Sequence, residues 1–216
     1  GNKKYYEAAV RSKSYIEEWI SNNARSSVFL DYACGDGFNT IMAARAGARL
    51  AVGIDISPIS IENARKDAAR RDLDEKTHFV LADAENTKLP DNTIEVAICS
   101  GVLHHLDLAR ALPELRRIMA PGGKILAVEA LGYNPLIKLY RYMTPAQRTG
   151  WEKNHILSLK DLRCAKRYFT VGEIRYWHIA SIAGVYFHPL MTFLDGFDIL
   201  LTKIPSLRLM SWIFTF

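Results

Sequence analysis

Asp31, Asp55 and Asp83 each stand at the end of a short apolar run, and Ser100 and His104 follow a fourth. Apolar runs of this length are how the strands of a parallel sheet read when helices cover both faces. Ligands of open α/β sheets sit beyond the carboxyl ends of such strands. Taken singly, each acid could be a helix cap or a solvated side chain; one polar group or more after each of four strands is harder to dismiss. After Asp31 the chain turns through Gly35-Asp36-Gly37 into a new apolar periodicity. The glycines let the backbone turn tightly or approach a ligand, and the helix behind them offers unpaired amide N–H groups. A carboxylate at Asp55 is placed to accept both hydroxyls of an adenosine ribose. A pyrophosphate is poorly served, because Asp31 and Asp36 would repel it. Position 40 is Thr, where a dinucleotide loop needs Gly or Ala, and no Gly-Lys-Ser/Thr occurs. The set points to a ligand with a cationic amino-acid end.

The elements that must position these residues follow from periodicity. Residues 5–22 read as an amphipathic helix closed by Asn22-Asn23. Five strand–helix units come next. The strands are Val28–Asp31, Leu50–Ile54, His78–Leu81, Ile94–Cys99 and Lys124–Val128, and the helices include Phe38–Ala46 and Leu108–Met119. Ser57 is the expected N-cap of a helix that starts with Pro58 and runs to about Arg71. Pro121-Gly122-Gly123 reads as a tight turn into the fifth strand. After Leu131 the rhythm breaks. A short helix is expected over Leu136–Tyr142, and another from Leu159 to about Lys166 capped by Ser158. Glu173–His178 reads as a sixth strand and Ser211–Phe216 as a last one, at a sheet edge left incomplete. Ile179–Leu201 is strongly apolar but contains His188, Pro189, Asp195, Gly196 and Asp198, so it is rejected as a membrane span. It is read as a buried cap in preference to an interfacial amphipathic helix.

Composition is ordinary for a globular chain of 216 residues, at 49% apolar and 24% charged. Cys34, Cys99 and Cys164 have neither paired nor metal-binding spacing, which suits a reducing compartment. Charge is uneven: residues 1–130 carry net −1, while residues 131–216 carry net +6 and 15 of the 23 aromatics. That half is either a solvated face around a core or a surface for an anionic substrate or lipid headgroups. No Lys/Arg cluster of the kind a phosphate tract needs is present, so nucleic acid is not expected.

Order and spacing over about half the chain resemble a known family. The motifs are Leu30-Asp31-Tyr32-Ala33-Cys34-Gly35-Asp36-Gly37, Val52-Gly53-Ile54-Asp55-Ile56-Ser57 and Leu81-Ala82-Asp83-Ala84-Glu85. They continue through Leu89-Pro90-Asp91-Asn92, Val102-Leu103-His104-His105-Leu106 and Leu115-Arg116-Arg117-Ile118-Met119-Ala120-Pro121-Gly122-Gly123-Lys124. This resembles a class I S-adenosylmethionine-dependent methyltransferase of the ubiquinone/menaquinone C-methyltransferase type (methyltransferase domain 11-like), in a branch of unassigned substrate. Asn39 stands where a third glycine is usual. The resemblance implies a Rossmann-like, seven-stranded, mostly parallel α/β sheet with helices on both faces. A helical, aromatic cap would be inserted after the fifth strand. Residues 1–130 would form the cofactor-binding core, and residues 131–216 the substrate cap and the strands completing the same domain. S-adenosylmethionine is the implied cofactor, with S-adenosylhomocysteine as product. Asp31, Gly35 and Gly37 would lie by its methionine part, Asp55 at the ribose, Asp83 and Ala84 at the adenine edge, Ile56 against the ring, and Ser100 by the sulfonium.

Methyl transfer of this kind is an in-line displacement that needs alignment and exclusion of water. His104 is the nearest candidate base, with His105 beside the acceptor. In the segment after the fifth strand, His155 and Tyr142 are further catalytic candidates. Glu129, Tyr140, Arg148, Trp151 and Glu152 are candidate acceptor contacts. Arg148 and Glu152 read equally well as a surface i,i+4 ion pair. No metal site is expected, since no Cys/His spacing fits one. The acceptor expected is small and largely apolar: phenolic, carboxylate-bearing, isoprenoid or lipid-like. Methylation of a peptide, and a cofactor-binding role without transfer, stay open as alternatives. The expected location is the cytoplasm, with peripheral contact to a membrane through the basic, aromatic C-terminal part.

Overall fold

The structure is a computed structural model that describes residues 9–144, 156–185 and 188–216. Seven strands form one sheet in the order β3-β2-β1-β4-β5-β7-β6. They are β1 (Val28–Tyr32), β2 (Leu50–Asp55), β3 (Thr77–Leu81), β4 (Ile94–Ser100), β5 (Met119–Ala130), β6 (Arg175–Trp177) and β7 (Ile213–Thr215). The first five are parallel, and β7 lies antiparallel between β5 and β6. The strand order reverses between β1 and β4, which places the crevice of an open α/β sheet at their carboxyl ends.

Alternation along the strands divides the core into two faces. Leu30, Tyr32 and Ile54 pack on one side with Leu103, Leu115 and Ile118. Leu115 and Ile118 belong to α4 (Leu108–Ile118). Phe29, Ala51 and Ile98 face the other side, against Ile20 of α1 (Val10–Asn23) and Ala43 and Ala44 of α2 (Phe38–Arg45). Beside α2, helix α3 (Pro58–Ala69) buries Ile61, Ala64 and Ala68 against Phe79. The expected cap is in place: the Ser57 hydroxyl accepts the Ser60 N–H at 3.2 Å, and Pro58 opens the helix.

Several expectations need correction. The Pro121-Gly122-Gly123 turn is not a separator but an excursion inside β5. Ile94 pairs with Met119 and Val96 with Lys124, so β5 rejoins the same neighbour after the turn. Ser158 caps the turn that leads into its helix: its hydroxyl accepts the Lys160 N–H at 3.2 Å, and its N–H and hydroxyl donate to the Asp161 carboxylate at 2.8 Å each, but the helix itself, α6, is only Asp161–Ala165. The sheet edge is β6 rather than the C-terminal strand, because β7 pairs on both sides. Helix α5 spans Pro135–Met143. The described residues of Ile179–Leu201 do not form a buried unit: they make short 3-10 turns and α7 (Met191–Leu201), whose apolar residues largely face outward. Among the described residues no helix is long and apolar enough to cross a membrane.

Candidate cofactor and acceptor site

Asp31 lies one residue before the end of β1 and is almost fully buried. Its Oδ2 accepts the Thr40 N–H and hydroxyl, both at 3.1 Å, and Asn39 Nδ2 reaches Oδ1 at 3.4 Å. The carboxylate therefore holds the first turn of α2 against the strand, and Asn39 adds a donor where a glycine is usual. Burial pushes the Asp31 carboxyl up to about 6, against the opposing pull of those hydrogen bonds. A cation docked beside it would restore the charged form.

Asp55, at the end of β2, organises the neighbouring loop. Its two oxygens accept the Gly35 and Ser57 N–H groups, both at 2.8 Å. Each carboxylate oxygen keeps a further lone pair, the number a ribose diol requires. Gly35 has positive φ, and nothing lies within 4 Å of where a Cβ would stand, so its backbone faces open space. Gly37 also has positive φ, but a Cβ there would meet Ala64 Cβ and Phe79 Cε1 at 2.8 Å. The first glycine thus leaves room and the second permits packing. Ile56 is 74% exposed beside them, an unpaid apolar surface suited to an aromatic ring. Asp83 accepts the Glu85 N–H at 2.8 Å in a tight turn, and the Tyr32 hydroxyl donates to the Ala84 carbonyl. Tyr32 thereby ties β1 to the loop after β3. Asp36 is exposed, where Asn63 donates to it at 3.2 Å. The residues present fit S-adenosylmethionine: acids for the amino group and the diol, an open glycine backbone, and an exposed aliphatic face.

Beyond β4, Ser100 is exposed, and Gly101 has positive φ before a 3-10 turn over Leu103–His105. Glu129 near the end of β5 is buried beneath this turn. One of its oxygens accepts the Leu103 N–H at 2.7 Å, and the other meets His104 Nδ1 at 2.7 Å. Glu129 therefore sits behind His104 and aims its ring, with both oxygens engaged. His105 is exposed, its ring centroid 4.0 Å from that of His104. Tyr142 stands 84% exposed at the end of α5, an environment that offers no exclusion of water to a base. Tyr140 lies in the same helix. Arg148, Trp151, Glu152 and His155 fall outside the described residues.

One polar cluster went unread in the sequence. His178, just after β6, lies with Asp195 and Asp198 of α7, their donor atoms within 4.8 Å of one another. The distances would suit a metal, but most of the donors are occupied. Asp198 accepts the N–H groups of Ile179, Ala180 and Ser181 and the Ser181 hydroxyl. His178 Nδ1 meets Ser181 Oγ at 2.9 Å, and Nε2 meets Ser12 Oγ at 2.8 Å. Asp195 Oδ1 is buried without a hydrogen-bond partner, 3.9 Å from His178 Nδ1. The cluster is a clasp joining α1, the end of β6 and α7. Its members are too far apart in the chain for spacing to have found them.

The reversed strand order and the acids at the strand ends define a Rossmann-like cofactor-binding fold. Residues 30–127 match the family model described as a methyltransferase domain. Among curated relatives, 27-O-demethylrifamycin SV methyltransferase of Amycolatopsis mediterranei is 33% identical over 97 residues, covering 44% of this chain and 36% of that protein. Ribosomal protein L11 methyltransferase of Photobacterium profundum is 28% identical over 109 residues, covering 50% of this chain and 35% of that protein. The chain thus spans about a third of the length of these curated relatives. A solved structure similar over 99% of this chain and 81% of its own is geranyl diphosphate C-methyltransferase from Streptomyces coelicolor A3(2), with TM-score 0.71 and 18% identity. That enzyme was solved with Mg2+, geranyl diphosphate and S-adenosyl-L-homocysteine.

Proposed function

We propose that the protein transfers a methyl group from S-adenosylmethionine to a small, largely apolar acceptor bearing an anionic group. The observation that carries this reading is the set of Asp31, Asp55 and Asp83 around an open Gly35 backbone, within a methyltransferase domain. Bound there, the cofactor supplies an electrophilic methyl group. Asp31 offers charge to the amino-acid end, Asp55 holds the ribose, Asp83 and Ala84 flank the adenine, and Ile56 packs on it. Gly37 lets the loop close onto α3. Ser100 and His104 border the reacting centre. His104, aimed by Glu129, takes a proton from the acceptor where the acceptor must lose one.

Residues 131–216 serve as the acceptor side of the same domain, with residues 1–130 as its cofactor core. His105, Tyr140, Tyr142, Arg148, Trp151, Glu152 and His155 belong to that acceptor side, and Arg148 suits a carboxylate or phosphate. The net charge of +6 over residues 131–216 supports an anionic acceptor, and the aromatic content supports an apolar one. The isoprenoid diphosphate bound by the Streptomyces enzyme has both properties. A cytoplasmic location, with contact to a membrane surface where apolar acceptors partition, completes the reading. Its three cysteines, Cys34, Cys99 and Cys164, are free thiols.

The test is calorimetric titration of the folded chain with S-adenosylhomocysteine. Saturable binding is expected, weakened at least about tenfold in Asp55→Ala by loss of the ribose contacts. Circular dichroism checks that the variant is folded. Absence of binding to the folded wild type would sink the reading.

A further inference from the structure

Helix α7 is amphipathic the wrong way round for water. Met191, Leu194, Asp195 and Asp198 form its inward stripe at helical spacing, with Asp195 9% and Asp198 1% exposed. Phe193, Phe197 and Leu200 form the opposite stripe, extended past the helix end by Ile204. Phe193 is 70% and Leu200 60% exposed. The Phe193 and Phe197 rings lie parallel, 6.5 Å apart. A helix on a water-facing surface turns its carboxylates outward and its phenylalanines inward. Here the orientation is held by chemistry rather than by apolar burial. Asp198 is fixed by the amides of residues 179–181 and the Ser181 hydroxyl, and Arg11 donates to the Asp195 carbonyl at 3.2 Å.

We propose that α7 and the turn after it seat the protein on an anionic bilayer surface. The outer face carries large apolar side chains and no carboxylate, because both of the helix's acids point inward. Lys203 is exposed directly beyond the helix, in the half of the chain that carries net +6, whereas Arg208 is half-buried with its guanidinium over the Tyr176 ring. Apolar residues below the headgroups and cations at their level are the arrangement of an interfacial helix. At 11 residues the helix is about 16 Å long, about half of what would span a bilayer core, so it lies in the surface plane. A second copy fits this face less well, since a two-fold contact would bring the same positive surroundings together. The proposal refines the suggested membrane contact by naming the element and the lipid charge. Its test uses neither cofactor nor acceptor, so it can fail while the methyl-transfer reading stands.

The experiment is flotation of the whole chain with vesicles of phosphatidylcholine alone and with added phosphatidylglycerol. Binding is expected with the anionic vesicles and to fall as salt rises. The pair Phe193→Ser and Phe197→Ser should weaken it about tenfold or more, and Lys203→Glu should reduce the preference for anionic lipid. S-adenosylhomocysteine binding should be unchanged in both variants, which also shows that they fold. The proposal is overturned by no flotation with anionic vesicles, or by flotation indifferent to the Phe pair. A lipid-free dimer in sedimentation equilibrium, dissociated by the Phe pair without any vesicle binding, overturns it in favour of a second copy.

Discussion

Glu129 and His104 belong together in a way their positions in the chain do not announce. Glu129 Oε2 lies 2.7 Å from His104 Nδ1, while Oε1 is committed to the Leu103 N–H. In the neutral ring this places the proton on Nδ1 and leaves Nε2 as the bare acceptor. Glu129→Gln keeps an oxygen for Leu103 but presents an NH2 to Nδ1, which forces the opposite tautomer. We expect imidazole nitrogen NMR to report Nδ1–H in the wild type and Nε2–H in the variant. With an acceptor that must lose a proton, kcat should fall about 10²-fold at nearly unchanged cofactor affinity. An unaltered tautomer would refute the positioning role. In the sequence, His104 was legible as a base candidate because it follows a strand in the right place. Glu129, at the root of the acceptor region, was legible as a candidate acceptor contact. Its role as a positioning group depends on β5 lying beside β4, a contact no local pattern encodes.

The two glycines of the β1–α2 loop separate the tasks of that element. Both have positive φ, so an alanine at either costs about 1–2 kcal/mol in backbone strain. At Gly37 the added Cβ also collides with Ala64 and Phe79, the seam between α2, α3 and β3. Overpacking adds about 1–3 kcal/mol there. At Gly35 the methyl enters open space. Gly37→Ala should therefore lower the melting temperature by clearly more than Gly35→Ala. Gly35→Ala should lose the larger share of S-adenosylhomocysteine affinity relative to its stability cost. Thermal melts and calorimetry on the pair decide this, and the reverse ranking would refute it. The five parallel strands were readable because strands buried on both faces are unbroken apolar runs ending in a polar residue. The place of β7 between β5 and β6 was not, because antiparallel pairing across 30 or more residues leaves no local trace. The facing of α7 was misread for a related reason: Asp195 and Asp198 look like solvent residues until their partners at 178–181 are in view.

Across the whole molecule, two buried groups, Asp31 on the inner strand β1 and His178 just after the edge strand β6, pull stability in opposite directions with pH. Burial brings the His178 imidazole down from 6.5 to about 4, despite the nearby Asp198 carboxylate and with Arg11 adding to the shift. The folded chain binds that proton less well than the unfolded chain. The stability concerned is complete above 6.5 and is lost as pH falls toward 4. Asp31 is shifted from 3.8 to about 6, again chiefly by burial. Its contribution is complete below 3.8 and is lost as pH rises through 6. Between pH 6.5 and 5 each group changes stability by between about 1 and 2 kcal/mol, with opposite sign, so in the wild type the two largely cancel. That window also stays above the range where Glu114, held down to about 2 first by its hydrogen bond from Arg117, begins to matter. His178→Asn retains a side chain that tolerates the positive φ of 63° at this position and removes the first slope. Asp31→Asn removes the second. In cofactor-free protein, acidifying from pH 6.5 to 5 should raise the melting temperature of His178→Asn and lower that of Asp31→Asn, by about 3 °C each. The wild type should change less than either. Parallel melting curves for the three proteins would show that these groups do not govern the pH response. The opposed tilts would establish that the cofactor end and the clasp holding α7 act as balanced proton-linked anchors of one sheet.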